Sequence, residues 1–153
     1  MGGPQVDRRE LMKAIKRELK RTLWDDPDSR PPTDRYRSLF TQNPEPMWIY
    51  ETQTLRVLDV NDAATQVYGY TRDEFLQLTI RDLRPAEDVP KFLELTRELP
   101  SSDRTGPWRH RLKGGAVIQV LITSHAVDFG GQAARVVMAE NLTEGESDID
   151  WRS

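Results

Sequence analysis

Asn61-Asp-Ala-Ala-Thr-Gln-Val-Tyr-Gly-Tyr-Thr-Arg-Asp-Glu-Phe75 reads as two short helices joined by a tight corner. Asn61 follows the apolar run Leu55 to Val60 and is placed to cap a helix, its side-chain oxygen accepting an amide hydrogen that the first turn leaves unpaired. Gly69 ends that helix, since the residue after a helix often adopts the left-handed conformation that glycine takes at little cost. Thr71 caps a second helix, and Glu74 three residues on completes a reciprocal capping box. The order is therefore strand, capped helix, glycine corner, boxed helix.

The chain outward from that stretch continues the pattern. Asn43-Pro-Glu-Pro is a turn that delivers a first strand, Met47 to Glu51, and Thr52-Gln-Thr turns it back into Leu55 to Val60. After the helix pair, Ile80 to Arg84 is a connecting turn. Pro85 opens a helix expected to run to about Leu99, with Glu87 and Asp88 at its positive end and Val89, Phe92, Leu93 and Leu95 or Leu99 buried. Pro100 to Pro107 reads as a plain loop. Trp108, His110 and Leu112 alternate with Arg109 and Arg111, which marks a half-buried strand, and Gly114-Gly115 makes a tight turn. In the long strand Ala116 to Phe129, Ile118, Val120, Ile122 and Ser124 share one face, with Gln119, Leu121, Thr123 and His125 on the other. Gly130-Gly131 turns into a last strand, Ala133 to Asn141.

The segments Leu55-Arg-Val-Leu-Asp-Val-Asn-Asp-Ala-Ala, Tyr68-Gly-Tyr-Thr-Arg-Asp-Glu-Phe and Ile80-Arg-Asp-Leu-Arg-Pro-Ala-Glu-Asp closely resemble the PAS sensor domain. Trp108-Arg-His-Arg-Leu-Lys-Gly-Gly resembles its second landmark, an aromatic and basic strand leading into a hairpin. The resemblance covers about Asp34 to Thr143. It implies an α+β fold, a five-stranded antiparallel sheet in the order 2-1-5-4-3 with helices on one face around a small internal cavity. Three segments follow: an N-terminal amphipathic helix with a Pro-rich linker (1–33), the PAS domain (34–143) and an acidic tail (144–153).

Composition narrows the function. The 153 residues allow one domain with an extension, and the chain has no cysteine, hence no disulfide, thiol nucleophile or thiolate metal site. A cytoplasmic setting fits, and no apolar run approaches the length that spans a bilayer. The net charge of −3 hides an asymmetry, because residues 1–24 carry seven Lys or Arg against three acids. Asp7 to Trp24 has helical spacing: Met12, Ile15 and Leu19 lie on one face, flanked by Leu11 and Leu23, with the basic residues opposite. Such a seam needs a cover, and dimerisation or packing on the domain is the ordinary use; nucleic acid is not expected as a partner. Leu121 and Val127 fall on the outward sheet face, where this helix, from its own chain or a second copy, is the natural cover.

No catalytic pattern emerges. His110 and His125 are the two histidines and neither sits in a metal-binding spacing; Ser124 and His125 are adjacent on a strand and point to opposite faces. The chain reads as a non-enzyme. By the resemblance, haem is not expected because Pro85 to Leu99 holds no axial histidine, although ligation through His110 stays open. Covalent flavin is not expected without a cysteine; non-covalent flavin or a small apolar ligand is compatible, with Trp48 or Trp108 able to stack on a ring. The pocket candidates are Ile49, Leu58, Val60, Ala64, Val67, Tyr68, Phe75, Ile80, Phe92, Ile118, Val120, Ile122, Ser124 and Met138. The end of the last strand, Glu140-Asn-Leu-Thr, resembles the family's Asp-Ile-Thr coupling motif. Asn141 stands in place of the charged acceptor, and Thr143 matches its threonine. Two readings result: a sensory PAS module acting as a homodimer on a downstream output domain or partner protein, or a ligand-free interaction module using the outer sheet face and the basic helix.

Overall fold

The computed structural model describes residues 8–25, 37–97 and 99–142. Helix α1 (Arg8–Asp25) is followed by a π-helical turn at Arg37–Thr41 and then by strands β1 (Met47–Glu51) and β2 (Val57–Val60). The predicted caps are present. Asn61 accepts from the Ala64 amide and Gly69, at φ 89°, closes α2 (Asp62–Tyr68). Thr71 and Glu74 make both bonds of the box that starts α3 (Arg72–Phe75). One-turn 3₁₀ segments at Ile80–Leu83 and Ala86–Asp88 lead into α4 (Val89–Thr96), which stops short of Leu99. Three strands close the chain: β3 (Ser102–Arg111), β4 (Val117–Phe129) and β5 (Gln132–Asn141).

The five strands pair antiparallel in the order 2-1-5-4-3, as expected. β5 is central with β1 and β4 on either side, and the side chains of β1 and β5 alternate between two buried layers. Trp48, Tyr50, Val137 and Ala139 enter an inner core with Tyr68, Phe75, Leu83 and Phe92. Met47, Ile49, Val136 and Met138 enter an outer core with Leu11, Met12, Ile15 and Leu19 of α1. Two-sided burial is why both strands are apolar at consecutive positions instead of at every second one. The basic side chains Lys13, Lys16 and Arg17 of α1 remain exposed.

Three expectations need correction. Pro100 to Pro107 is not a plain loop: β3 begins at Ser102 and pairs with β4 from His125 onward. Gly106-Pro107 interrupts the pairing register between Thr105 and Trp108, and this bulge is what lets a Gly-Pro step sit in a strand. Gly106 has φ 137°, and a Cβ there would come within 2.8 Å of the Val120 carbonyl oxygen, so no other residue fits. The second strand starts at Val57, because Leu55 takes a positive φ in the turn. Among the outward apolar pair, Val127 joins the layer under α1, whereas Leu121 is half-buried outside it, opposite Glu140.

Candidate functional site

The bulge in β3 decides what faces inward. Asp103 and Thr105 before it, and Trp108 and His110 after it, all line one cavity together with Ile122 and Ser124 of β4. The other walls are Trp48 and Tyr50 of β1, Val137 of β5, and the segment Ile80 to Leu99 with Leu83, Arg84 and Phe92. The cavity is small, about 30 Å³. Leu95 is its exposed lining residue, and Leu99, Asp103, Thr105, Trp108 and Ile122 are half-buried.

Of the candidate pocket residues, Ile80, Phe92, Ile122 and Ser124 line this cavity. Val60, Ala64, Val67, Tyr68, Phe75, Ile118 and Val120 pack in the inner core beside it. Ile49, Leu58 and Met138 do not belong to it. They lie across the sheet under α1, because Trp48 and Tyr50, not Ile49, are the inward pair of β1, and Val137, not Met138, is inward on β5. Met12, Ile15 and Leu19 are buried against the sheet of their own chain, while the side chain of Leu23, together with Thr143, lies outside the described residues. Asn141 closes β5 opposite Val120.

Polar groups in this layer are few and deeply buried. The Tyr68 hydroxyl is 2.6 Å from His110 Nδ1. Burial raises the Tyr68 pKa, so the group is a phenol, and its proton belongs on the bond to Nδ1; His110 then carries its own hydrogen on Nε2, which has no partner. Burial, and next the charge of Arg84, hold the His110 pKa well below its ordinary value. Arg135 donates from Nε and Nη2 to Ser124 Oγ at 3.1 and 2.9 Å. Arg84 packs its guanidinium on the Phe92 ring at 3.6 Å and reaches the Trp108 ring at 5.0 Å. Burial lowers its pKa to about 10, which still leaves it cationic at neutral pH. Outside the cavity, Arg109 pairs with Glu87 at 3.0 Å and Asp88 at 2.7 Å, fastening the start of the α4 segment to β3.

Ser124 and His125 are on opposite faces, one beside Arg135 and the other on the side of α1, so they form no nucleophile–base pair. Among the described residues, no group of three or more His, Cys, Asp or Glu side chains is placed to hold a metal ion. No described helix is long and apolar enough to cross a membrane.

The neutral, buried His110 has a consequence for stability. Its folded pKa is depressed, so as the pH falls below about 6.5 the unfolded chain binds a proton that the folded chain refuses. Stability should therefore fall with falling pH in that window, by up to about 1.4 kcal/mol per pH unit for this group. His110→Gln should flatten the dependence by about one proton in urea unfolding between about pH 5 and pH 7. An unchanged slope would move the titration to His125, whose pKa is lowered first by burial and then by Lys16, Arg135 and Lys13.

A 2-1-5-4-3 antiparallel sheet with short helices enclosing a small cavity on its inner face defines a sensor-type α+β domain. The chain belongs to the PAS domain family, whose sequence profile matches residues 44–144. It is similar to a methyl sulfide methyltransferase-associated sensor of Methanosarcina acetivorans, at 23% identity over 112 residues, 72% of this chain and 11% of that protein. The chain thus spans about a tenth of the length of that relative. Among solved structures, a PAS domain from Colwellia psychrerythraea superposes with a TM-score of 0.63 at 12% identity, covering 72% of this chain and 97% of that one. A domain of a sensory box sensor histidine kinase/response regulator from Geobacter sulfurreducens gives 0.60 at 24% identity, with 70% and 91% covered. These likenesses establish the fold.

Proposed function

We propose that this PAS domain is a non-catalytic sensory module in which a small ligand in the inner cavity biases the seat of α1 on the opposite face of the sheet. The supporting observation is that only the thickness of the sheet separates the two: α1 lies closest to β4, whose Ile122 and Ser124 line the cavity and whose Val127 joins the α1 layer, with β5 and β1 beside it. On β5, Val137 lines the cavity while Val136 and Met138 touch the α1 layer; on β1, Trp48 and Tyr50 stand against Met47 and Ile49. A ligand that prefers one strand position over another would change the helix seat by as much as its affinities for the two arrangements differ. An isoalloxazine or a porphyrin is much larger than the cavity, so the reading favours a ligand of a few heavy atoms. Homodimerisation is assigned to the same layer, two copies exchanging α1 between equivalent seats. The second reading, a ligand-free interaction module, draws on the exposed Lys13, Lys16 and Arg17, which a docked α1 presents as a basic face.

Native mass spectrometry separates the readings. The sensor reading expects twice the chain mass with a small adduct, and expects Ile122→Trp, which fills the cavity, to remove the adduct while the fold is retained. A bare chain whose mass and partner binding are untouched by Ile122→Trp, but whose partner binding is lost in Lys13→Glu with Lys16→Glu, would overturn it in favour of the interaction module.

A further inference from the structure

Arg84 is 5% exposed, yet its Nε and Nη1 have no hydrogen-bond acceptor. The Phe92 and Trp108 rings stabilise the face of the guanidinium, but its N–H bonds lie in the guanidinium plane and are not satisfied by them. The neighbouring charges do not resolve this. Asp88 is bonded to Arg109 at the surface, and although its charge also favours the Arg84 cation it leaves Arg84 Nε and Nη1 without an acceptor; Asp103 on the cavity rim lowers the energy of the Arg135 cation next to Ser124. Tyr50 and Tyr68 are neutral phenols held so by burial, and His110 is neutral with a buried, unpartnered Nε2. The cavity layer therefore holds two buried guanidiniums, with three buried donor atoms, Arg84 Nε and Nη1 and His110 Nε2, unused. A buried cation without an acceptor is strongly destabilising, and cavities of this kind in native proteins are completed by something that accepts.

We propose that the cavity is a binding site for a small organic monocarboxylate, whose carboxyl group takes the free N–H donors of Arg84 and His110 and whose short apolar end lies against Leu83, Trp108, Ile122 and Val137. A planar carboxylate suits the planar fork of N–H donors on a guanidinium, and the apolar remainder of the wall suits an alkyl end. The small volume of the cavity restricts the ligand to a short chain. The proposal rests on the sensor reading above and names the ligand class for it.

The test is calorimetric titration and thermal melting of the full chain with sodium formate, acetate, propionate and butyrate, at ionic strength matched with sodium chloride. Propionamide serves as the neutral isostere of propionate, and sodium nitrate and phosphate as inorganic anions. The expected result is saturable binding of at least one carboxylate, none by propionamide, and about ten- to hundred-fold weaker binding in Arg84→Met, the worth of a charge-assisted hydrogen bond. Arg84→Met should also melt higher than the parent chain when no carboxylate is present, because a lone buried charge has gone. If that variant does not fold, the contrast of propionate with propionamide in the parent chain decides alone. Equal binding of propionamide, undiminished binding in folded Arg84→Met, or tighter binding of nitrate or phosphate would overturn the proposal. So would a complete lack of carboxylate binding. Propionamide binding that Ile122→Trp blocks would leave the sensor reading standing without the anion. If no compound binds and no adduct co-purifies, both fall.

Discussion

Asn61→Ala is expected to destabilise the domain by about 3–5 kcal/mol, well beyond the loss of a helix cap, which is typically about 1 kcal/mol. Asn61 is 0% exposed and its amide is a junction. Its Oδ1 accepts from the amides of Met47 and Ala64 at 2.9 and 3.0 Å, so it caps α2 and starts β1 at once. Its Nδ2 donates to the carbonyls of Phe40 and Glu45, both at 2.9 Å, and more distantly to that of Asn43. Alanine would leave the buried amides of Met47 and Ala64 without acceptors, each costing about 1–3 kcal/mol and not adding fully, and would take one donor from each of the Phe40 and Glu45 carbonyls. Asn61→Asp keeps the acceptor and loses both donors, setting a carboxylate against two carbonyl oxygens, and should be no milder. Thr71→Ala, in an exposed capping box, supplies the scale at about 1 kcal/mol. Urea unfolding of the three variants checks this; an Asn61→Ala cost no larger than that of Thr71→Ala would reduce Asn61 to a simple cap.

The second large effect is expected at Ile15. This side chain is 0% exposed and sits among Met47, Ile49, Val136 and Met138 in the outer core. Ile15→Ala should cost about 2–5 kcal/mol through lost transfer energy and the residual cavity. Ile15→Asp cannot keep its charge in that layer, so α1 should leave the sheet and expose the outer core. Deletion of residues 1–30 should do the same. The uncovered face is a contiguous apolar patch and should bring self-association, not a well-behaved monomer. Limited trypsin digestion reports the first step, since the lysines and arginines of α1 become cleavable when it undocks. Resistance equal to that of the parent chain would mean that the helix does not depend on this seat.

The parts of the fold set by local chemistry were legible in the sequence. Asn61, Gly69 and the Thr71–Glu74 spacing each solve a backbone problem within four residues, and all three appear where expected. Parity along β4 was also legible, because one face of that strand carries polar residues at Gln119 and Thr123. On β1 and β5 it was not. Met47-Trp-Ile-Tyr and Val136-Val-Met-Ala are apolar at every position because both faces are covered, and that removed the alternation which would have separated Ile49 and Met138 from the cavity. Gly106-Pro107 concealed the start of β3 for a different reason. Both residues normally argue against a strand, and only the bulge accommodates them, so Asp103 and Thr105 were missed as cavity residues. Arg84 was missed because its surroundings are tertiary: no neighbour in sequence signals that Phe92 and Trp108 will enclose it.

The link between cavity and helix is tested most directly by ¹⁵N–¹H NMR of the full chain titrated with sodium propionate, with propionamide as the control. The predicted result is saturable shifts at Arg84 Nε–H, Trp108 Nε1–H and the amides of Ser124 and Val137. These should be accompanied at the same midpoint by shifts across the sheet at Val136, Met138 and Ile15. Shifts that stop at the inner face would contradict the coupling through β5, and shifts confined to exposed surface residues would contradict the site itself.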